Sequence, residues 1–209
     1  MGNYLFEARK LGMFGNKEAL EFLKIRKSVP LTQLTTPGPD EKQLAELLEI
    51  AARVPDHGRM EPWRFILYRG SAVLEAGEAL AAIALKKNSS MSDEELQRER
   101  NRINRAPIAI GVVSNVVDDS NIPEWEQFLS AGAAAMNLVT AATAMGFGAN
   151  WVTGWYSDSA EGRRILGLAP HEKMAGIVHI GSYDRAIPDR PRPDVKALTS
   201  EYTGPYQAS

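Results

Sequence analysis

The chain has no cysteine in its 209 residues. Disulfides, thiol nucleophiles, thiolate zinc sites and iron–sulfur clusters are therefore all excluded. Histidine is nearly as scarce. His57, His171 and His179 stand at spacings that match no local metal motif, so no metal site is expected. Charge of one sign is missing too: 24 Lys and Arg against 26 Asp and Glu leave a net charge of −2, without the basic excess of a nucleic-acid protein. The start, Met1 to Glu7, lacks the basic-then-apolar order of a signal peptide or anchor, so a cytoplasmic location is expected. What is present is ordinary for a globular chain, with 44% hydrophobic and 24% charged residues in a length that suits one domain. The expected organisation is a single domain over 1–209, with an N-terminal extension at 1–16 and an arm at 184–209. No nucleophile pattern, carboxylate pair or metal cluster offers itself as catalytic machinery, so the chemistry is expected to come from a borrowed group.

Local patterning predicts the elements. Residues 17–26 carry Leu, Phe and Ile on one helical stripe, which ends at Ser28-Val29-Pro30 because Pro30 disfavours the α region for Val29. Asp40 followed by Gln43 is a capping-box pattern opening a second helix, buried through Leu44, Leu47, Leu48 and Ala51. Residues 54–63, with two prolines and a glycine, form a loop. Strands are expected at 64–69, 108–113, 149–153 and 174–180, and helices at 71–86, 92–105 and about 158–166. The 92–105 helix, capped by Ser92 and Glu95, is so charged that it reads as solvated.

The segment from Asn121 to Met145 is apolar on nearly every side between Ala131 and Met145, interrupted only by Asn137, Thr140 and Thr143. Its Ala-rich composition, its polar groups and Glu124 and Glu126 at its head argue against a membrane span. Such a helix is either central to the subunit or half of a subunit interface. Gly146-Phe147-Gly148 reads as its C-cap, because a dinucleotide fingerprint requires the reverse order of strand and helix. The 184–209 segment holds Pro188, Pro191, Pro193 and Pro205 and shows no periodicity, so it is either a solvated tail or an arm laid on a partner. Helices mixed with few strands, without strict alternation, indicate an α+β fold.

Three features could bind an anion or a ring. Arg26-Lys27-Ser28 presents two cations and a hydroxyl at a helix end, although cations also favour that position through the helix dipole. In the Pro-bounded loop, Asp56 lies beside His57 with Glu61 four residues on. An Asp–His pair could tune the imidazole, but Asp56 could equally cap the turn. Arg190-Pro191-Arg192-Pro193 places two guanidiniums on a stiffened segment suited to an anion clamp.

Together these pieces resemble the FMN-dependent nitroreductase family, in particular its short single-domain NAD(P)H nitroreductase-like members, over about residues 20 to 195. Arg26-Lys27-Ser28 looks like the family's Arg-[Arg/Lys]-Ser flavin segment, and Ala52 to Phe65 is similar to its Ala-Pro-[Asp/Ser]…Gln-Pro-Trp-Arg-Phe loop. Trp125-Glu126-Gln127 and Ser130-Ala131-Gly132-Ala133, followed by Gly146-Phe147-Gly148, look like the central helix of the short members. The resemblance implies a central mixed, mainly antiparallel sheet flanked by helices. It also implies a homodimer with FMN sites at the subunit interface and a C-terminal arm wrapping the partner subunit. FMN would be reduced by NADH or NADPH in ping-pong fashion, with hydride accepted at flavin N5 and passed to a small electron-poor acceptor such as a nitroaromatic or quinone. By the same likeness Arg26, Lys27, Ser28, His57, Glu61, Trp151, Val152, Thr153, Arg190 and Arg192 are the flavin-binding candidates. Ala141, Ala142, Thr143, Ala144, Met145 and Gly146 match the nicotinamide segment.

Two positions depart from the pattern: Glu61 stands where the family usually has Gln, and Pro30 where many larger members place a Lys. Other readings on the same fold are a flavin-consuming or dehalogenating specialist, for which residues 87–105 are the candidate lid, and a flavin storage or sensor protein. No side chain is singled out as catalytic, since the flavin carries the hydride chemistry.

Overall fold

The computed structural model describes residues 15–118 and 121–205. Helix α1 (Lys17–Ile25) leads to a 3₁₀ turn at Leu31–Gln33 and to α2 (Glu41–Ala51). A second 3₁₀ turn (His57–Arg59) precedes β1 (Trp63–Tyr68), α3 (Ala72–Lys87) and α4 (Asp93–Arg100). Strand β2 (Ile108–Ser114), α5 (Glu124–Ala144), β3 (Gly148–Val152), α6 (Trp155–Asp158), α7 (Ala160–Ile165) and β4 (Lys173–Gly181) follow. The strand order is β1-β2-β4-β3, and every pairing is antiparallel. The fold is thus α+β as expected, but the described strands contain no parallel pair. Most of the expected extension at 1–16 lies outside the described residues, and the arm is seen to residue 205 without helix or strand.

The sheet is covered on both faces. One face packs Ile110, Val178 and Ile180 against α2 and α5 through Leu47, Ala135 and Leu138. The other packs Ala109, Val113 and Ile177 against Leu80, Ile103, Tyr156 and Leu166. His179 lies fully buried on β4 with neither ring nitrogen hydrogen-bonded. Burial first, and the nearby Arg105 charge second, push its pKa down to about 4. It is a neutral core histidine.

Local chemistry sets the element ends. Asp40 with Gln43, and Ser92 with Glu95, form complete capping boxes at α2 and α4. Helix α5 stops in a Schellman arrangement, in which Phe147 N–H donates to the Ala142 carbonyl and Gly146 N–H to the Thr143 carbonyl. Gly146 takes φ +88°, a conformation that favours glycine. Two expectations need correction. The charged segment at 92–105 is helical only to Arg100 and is not simply solvated. Glu99 is buried, chelating Arg102 and accepting from Trp155 Nε1 at 2.9 Å. Gly77 of α3 also lets Arg100 come so close that an added Cβ would lie 2.2 Å from its carbonyl oxygen. A segment held this tightly against α3 and α6 is built into the fold. The single helix expected near 158–166 is two, separated at Ser159, whose hydroxyl caps α7 by accepting from Gly162 N–H.

Helix α5 divides its apolar residues by face. Ala131, Ala134, Ala135, Leu138, Val139 and Ala142 are buried within the chain's own core. Trp125, Phe128, Leu129 and Met136 stand on the outside, with Trp125 at 64% and Leu129 at 62% exposure. The middle of the helix is therefore subunit core, and the Trp125–Leu129–Met136 side is the surface open to a partner. Helix α1 buries no residue at all, leaving Leu20, Leu23 and Ile25 exposed.

Candidate functional site

The expected site residues fall into two groups. The first lies along β3. Val29 N–H donates to the Ala149 carbonyl at 3.1 Å, and Asn150 Nδ2 donates to the Val29 carbonyl at 2.7 Å, stitching the Arg26–Pro30 segment beside the strand. This brings Arg26, Lys27 and Ser28 alongside β3, which carries Trp151 and Val152 and leads into Thr153. Trp151 is fixed by its indole N–H to the Ala175 carbonyl at 3.2 Å and lies over Gly176, where any Cβ would collide with the ring.

The arm joins this group. Lys27 Nζ donates to the Ile187 carbonyl at 2.8 Å, which brings Arg190 and Arg192 near Arg26. Arg26 Nη1 is buried and has no hydrogen-bond partner. Its guanidinium is held below the ordinary arginine value, chiefly by burial and then by the Arg192 and Arg190 charges. Arg192 is paired with Asp189 at 2.6 Å, an i, i+3 ion pair that sequence reasoning passed over. That bond also holds the Asp189 carboxyl below its usual range. An orphaned buried N–H with two further guanidinium charges nearby makes a basic cradle suited to a dianionic phosphate. The cradle therefore fits the phosphate end of the cofactor that the resemblance implies.

The second group lies in a cavity of about 540 Å3 between the 55–62 loop and α5, lined among others by His57, Ile122, Glu126, Leu129 and Ala133. Asp56 does not pair with His57. Its carboxylate accepts from Met60 N–H at 3.0 Å and Glu61 N–H at 2.9 Å, closing the turn. It thereby holds two non-glycine residues, Arg59 (φ 54°) and Glu61 (φ 47°), in left-handed conformations. Such strain persists only where the surroundings over-determine it, and it concentrates at ligand sites. The imidazole pairs instead with Glu126, Nδ1 to Oε1 at 2.6 Å. Sequence reasoning missed that partner, which lies 69 positions away. Glu61 itself is exposed and does not line the cavity.

Polar residues of α5 clamp this loop. Ser130 Oγ donates to the Pro55 carbonyl at 2.7 Å and accepts from Trp63 Nε1 at 3.1 Å. Asn137 Nδ2 donates to the Ile50 and Arg53 carbonyls. Below the loop, Arg64 reaches the buried Glu172 with Nε at 2.6 Å and Nη2 at 2.7 Å. These bonds hold the Glu172 carboxyl below its usual range. Of the nicotinamide segment, Ala141 and Ala142 are buried in the core. Thr143 donates to the Val139 carbonyl, and Ala144 and Gly146 are exposed. Among the described residues no group of three or more His, Asp or Glu is placed to hold a metal.

The antiparallel sheet between two helical layers, with a basic cradle at one edge and a cavity beside α5, defines a nitroreductase-like α+β protein. The Nitroreductase family model matches residues 26–182, and the chain belongs to that family. It is 35% identical over 189 residues to the Escherichia coli (strain K12) protein named "Putative NAD(P)H nitroreductase YdjA", covering 88% of this chain and 92% of that one. Among solved structures it is similar to a nitroreductase-like family protein from Bacillus cereus, with a TM-score of 0.74 and 25% identity over 92% of this chain and 100% of that one. It also shares the fold of a nitroreductase with bound FMN from Bacteroides fragilis NCTC 9343. There the TM-score is 0.67 and the identity 22%, over 90% of this chain and 100% of that one.

Proposed function

We propose that the chain is an FMN-dependent oxidoreductase that takes hydride from NADH or NADPH and reduces nitroaromatic, quinone or comparably electron-poor compounds in ping-pong fashion. The observation that carries this reading is the orphaned Arg26 Nη1, with the Arg190 and Arg192 charges nearby, within a nitroreductase fold. FMN, when bound, supplies the hydride acceptor and donor at N5. Arg26, Arg190 and Arg192 hold the phosphate, Lys27 ties the arm in place, and Ser28 and Trp151 to Thr153 flank the ring. His57 and the Glu61 turn form the other wall of a site, and of the 141–146 segment only the exposed Ala144 and Gly146 are open to the reductant.

His57 lines a cavity that includes none of the β3-edge residues Arg26 to Ser28 and Trp151 to Thr153. This separation supports completion of each site by a partner subunit. The exposed Trp125, Leu129 and Met136 on α5 and Leu20, Leu23 and Ile25 on α1 supply apolar surface for a homodimer. No described helix is long and apolar enough to cross a membrane. The test is anaerobic mixing of the FMN-loaded protein with each nicotinamide. Bleaching of the flavin band within seconds is expected with at least one of them. Binding of FMN without bleaching by either would make the chain a flavin store or sensor instead.

A further inference from the structure

The His57–Glu126 pair sits in the wall of the 540 Å3 cavity. An ionised carboxylate can only accept, so a 2.6 Å bond to Nδ1 puts the proton on that nitrogen. Nε2 is then the ring nitrogen left over, and it makes no hydrogen bond to any described residue. Among the described residues lining the cavity, every other polar side chain is committed elsewhere. Asp56 has both oxygens committed to the turn, Glu124 is paired with Lys173, and the Gln127 amide is committed to Val117 and Ile122. Ser130 is tied to Pro55 and Trp63. The His57 side chain is 61% exposed, so solvent can reprotonate it.

Reduction of a nitro group by two electrons needs such an atom: R–NO2 + NAD(P)H + H⁺ gives R–NO + NAD(P)⁺ + H2O. The hydride brings both electrons and one hydrogen. The second hydrogen must arrive as a proton while an N–O bond breaks and the oxygen leaves as water. We propose that His57 donates this proton from Nε2, and that Glu126 is the positioning residue that fixes the imidazole as the Nδ1–H form and compensates its charge. This rests on the flavin reading above and adds to it a proton source.

Four variants test it. In 15N-histidine NMR the parent chain, with or without FMN, shows His57 as the Nδ1–H tautomer. E126Q keeps that tautomer, because the amide oxygen still accepts, while E126A shifts it towards Nε2–H. In stopped-flow reoxidation of the loaded, NAD(P)H-reduced protein, 4-nitrobenzoate needs a proton and ferricyanide does not. The ratio of the two rates falls about 100-fold in H57Q, within the range for loss of a general acid. It falls comparably in E126A and by a smaller factor in E126Q, and free imidazole restores it in part in His57→Ala. An unchanged ratio in H57Q, with bleaching intact, overturns the proton donor while leaving the flavin reading standing. An unchanged tautomer and ratio in E126A overturn the role of Glu126. Failure of the parent chain to bleach with either nicotinamide overturns the flavin reading itself, and the NMR result is read separately from it.

Discussion

Arg26→Ala is expected to weaken FMN binding by about 10- to 150-fold. A charge-assisted hydrogen bond contributes roughly 1.5–3 kcal/mol, and each 1.4 kcal/mol is a factor of ten in affinity. Arg26 is the guanidinium with a buried N–H left over, so its whole contribution is available to a phosphate. Arg192→Ala should fall at the lower end of that range, because Asp189 already takes part of the Arg192 bonding capacity. Lys196→Ala removes the same charge from an exposed position outside the cradle and should change affinity less than twofold. Fluorescence titration of the apo variants with FMN measures all three. Equal losses in Arg26→Ala and Lys196→Ala would mean that net charge matters and the cradle does not.

Ala135→Glu is expected to abolish stable folding, whereas Leu129→Glu should leave the subunit folded and separate the proposed homodimer. Ala135 has 0% exposure in the core between α2, α5 and the sheet, with no polar partner to receive a carboxylate. Burying a charge there costs several kcal/mol, comparable with the whole stability of a domain of this size. Leu129, one and a half turns earlier, faces outward beside Trp125, so a glutamate there stays hydrated in the isolated chain and opposes only a second copy. Thermal melts should show a lost or strongly lowered transition for Ala135→Glu. Light scattering should show half the parent mass for Leu129→Glu. A folded Ala135→Glu protein would mean that the helix packs elsewhere, and an unchanged mass for Leu129→Glu would remove α5 from the interface.

These two outcomes also mark where the sequence was readable. Caps and breakers were, because they act within a few residues: Asp40 with Gln43, Ser92 with Glu95, and the Gly146 stop are all realised. The anion cradle was readable as separate motifs, since Arg26 and Arg192 announce their chemistry wherever they fall. Pairings across long sequence separations were not. A helix apolar all round does not reveal which face meets its own sheet, and only packing separates Ala135 from Leu129. Glu99 looked solvated among its charged neighbours because its Trp155 partner lies 56 positions further on. His57 seemed matched to the adjacent Asp56, but geometry within a tight turn committed that carboxylate to backbone N–H groups and left the imidazole to α5.

The most direct measurement of the central claim is the visible spectrum of the purified chain, followed by identification of what heat releases from it. A basic cradle fitted to one phosphate, at the edge of a nitroreductase fold, predicts a yellow protein that yields FMN and not FAD, near one per chain. A colourless protein that cannot be reconstituted with FMN would contradict the account.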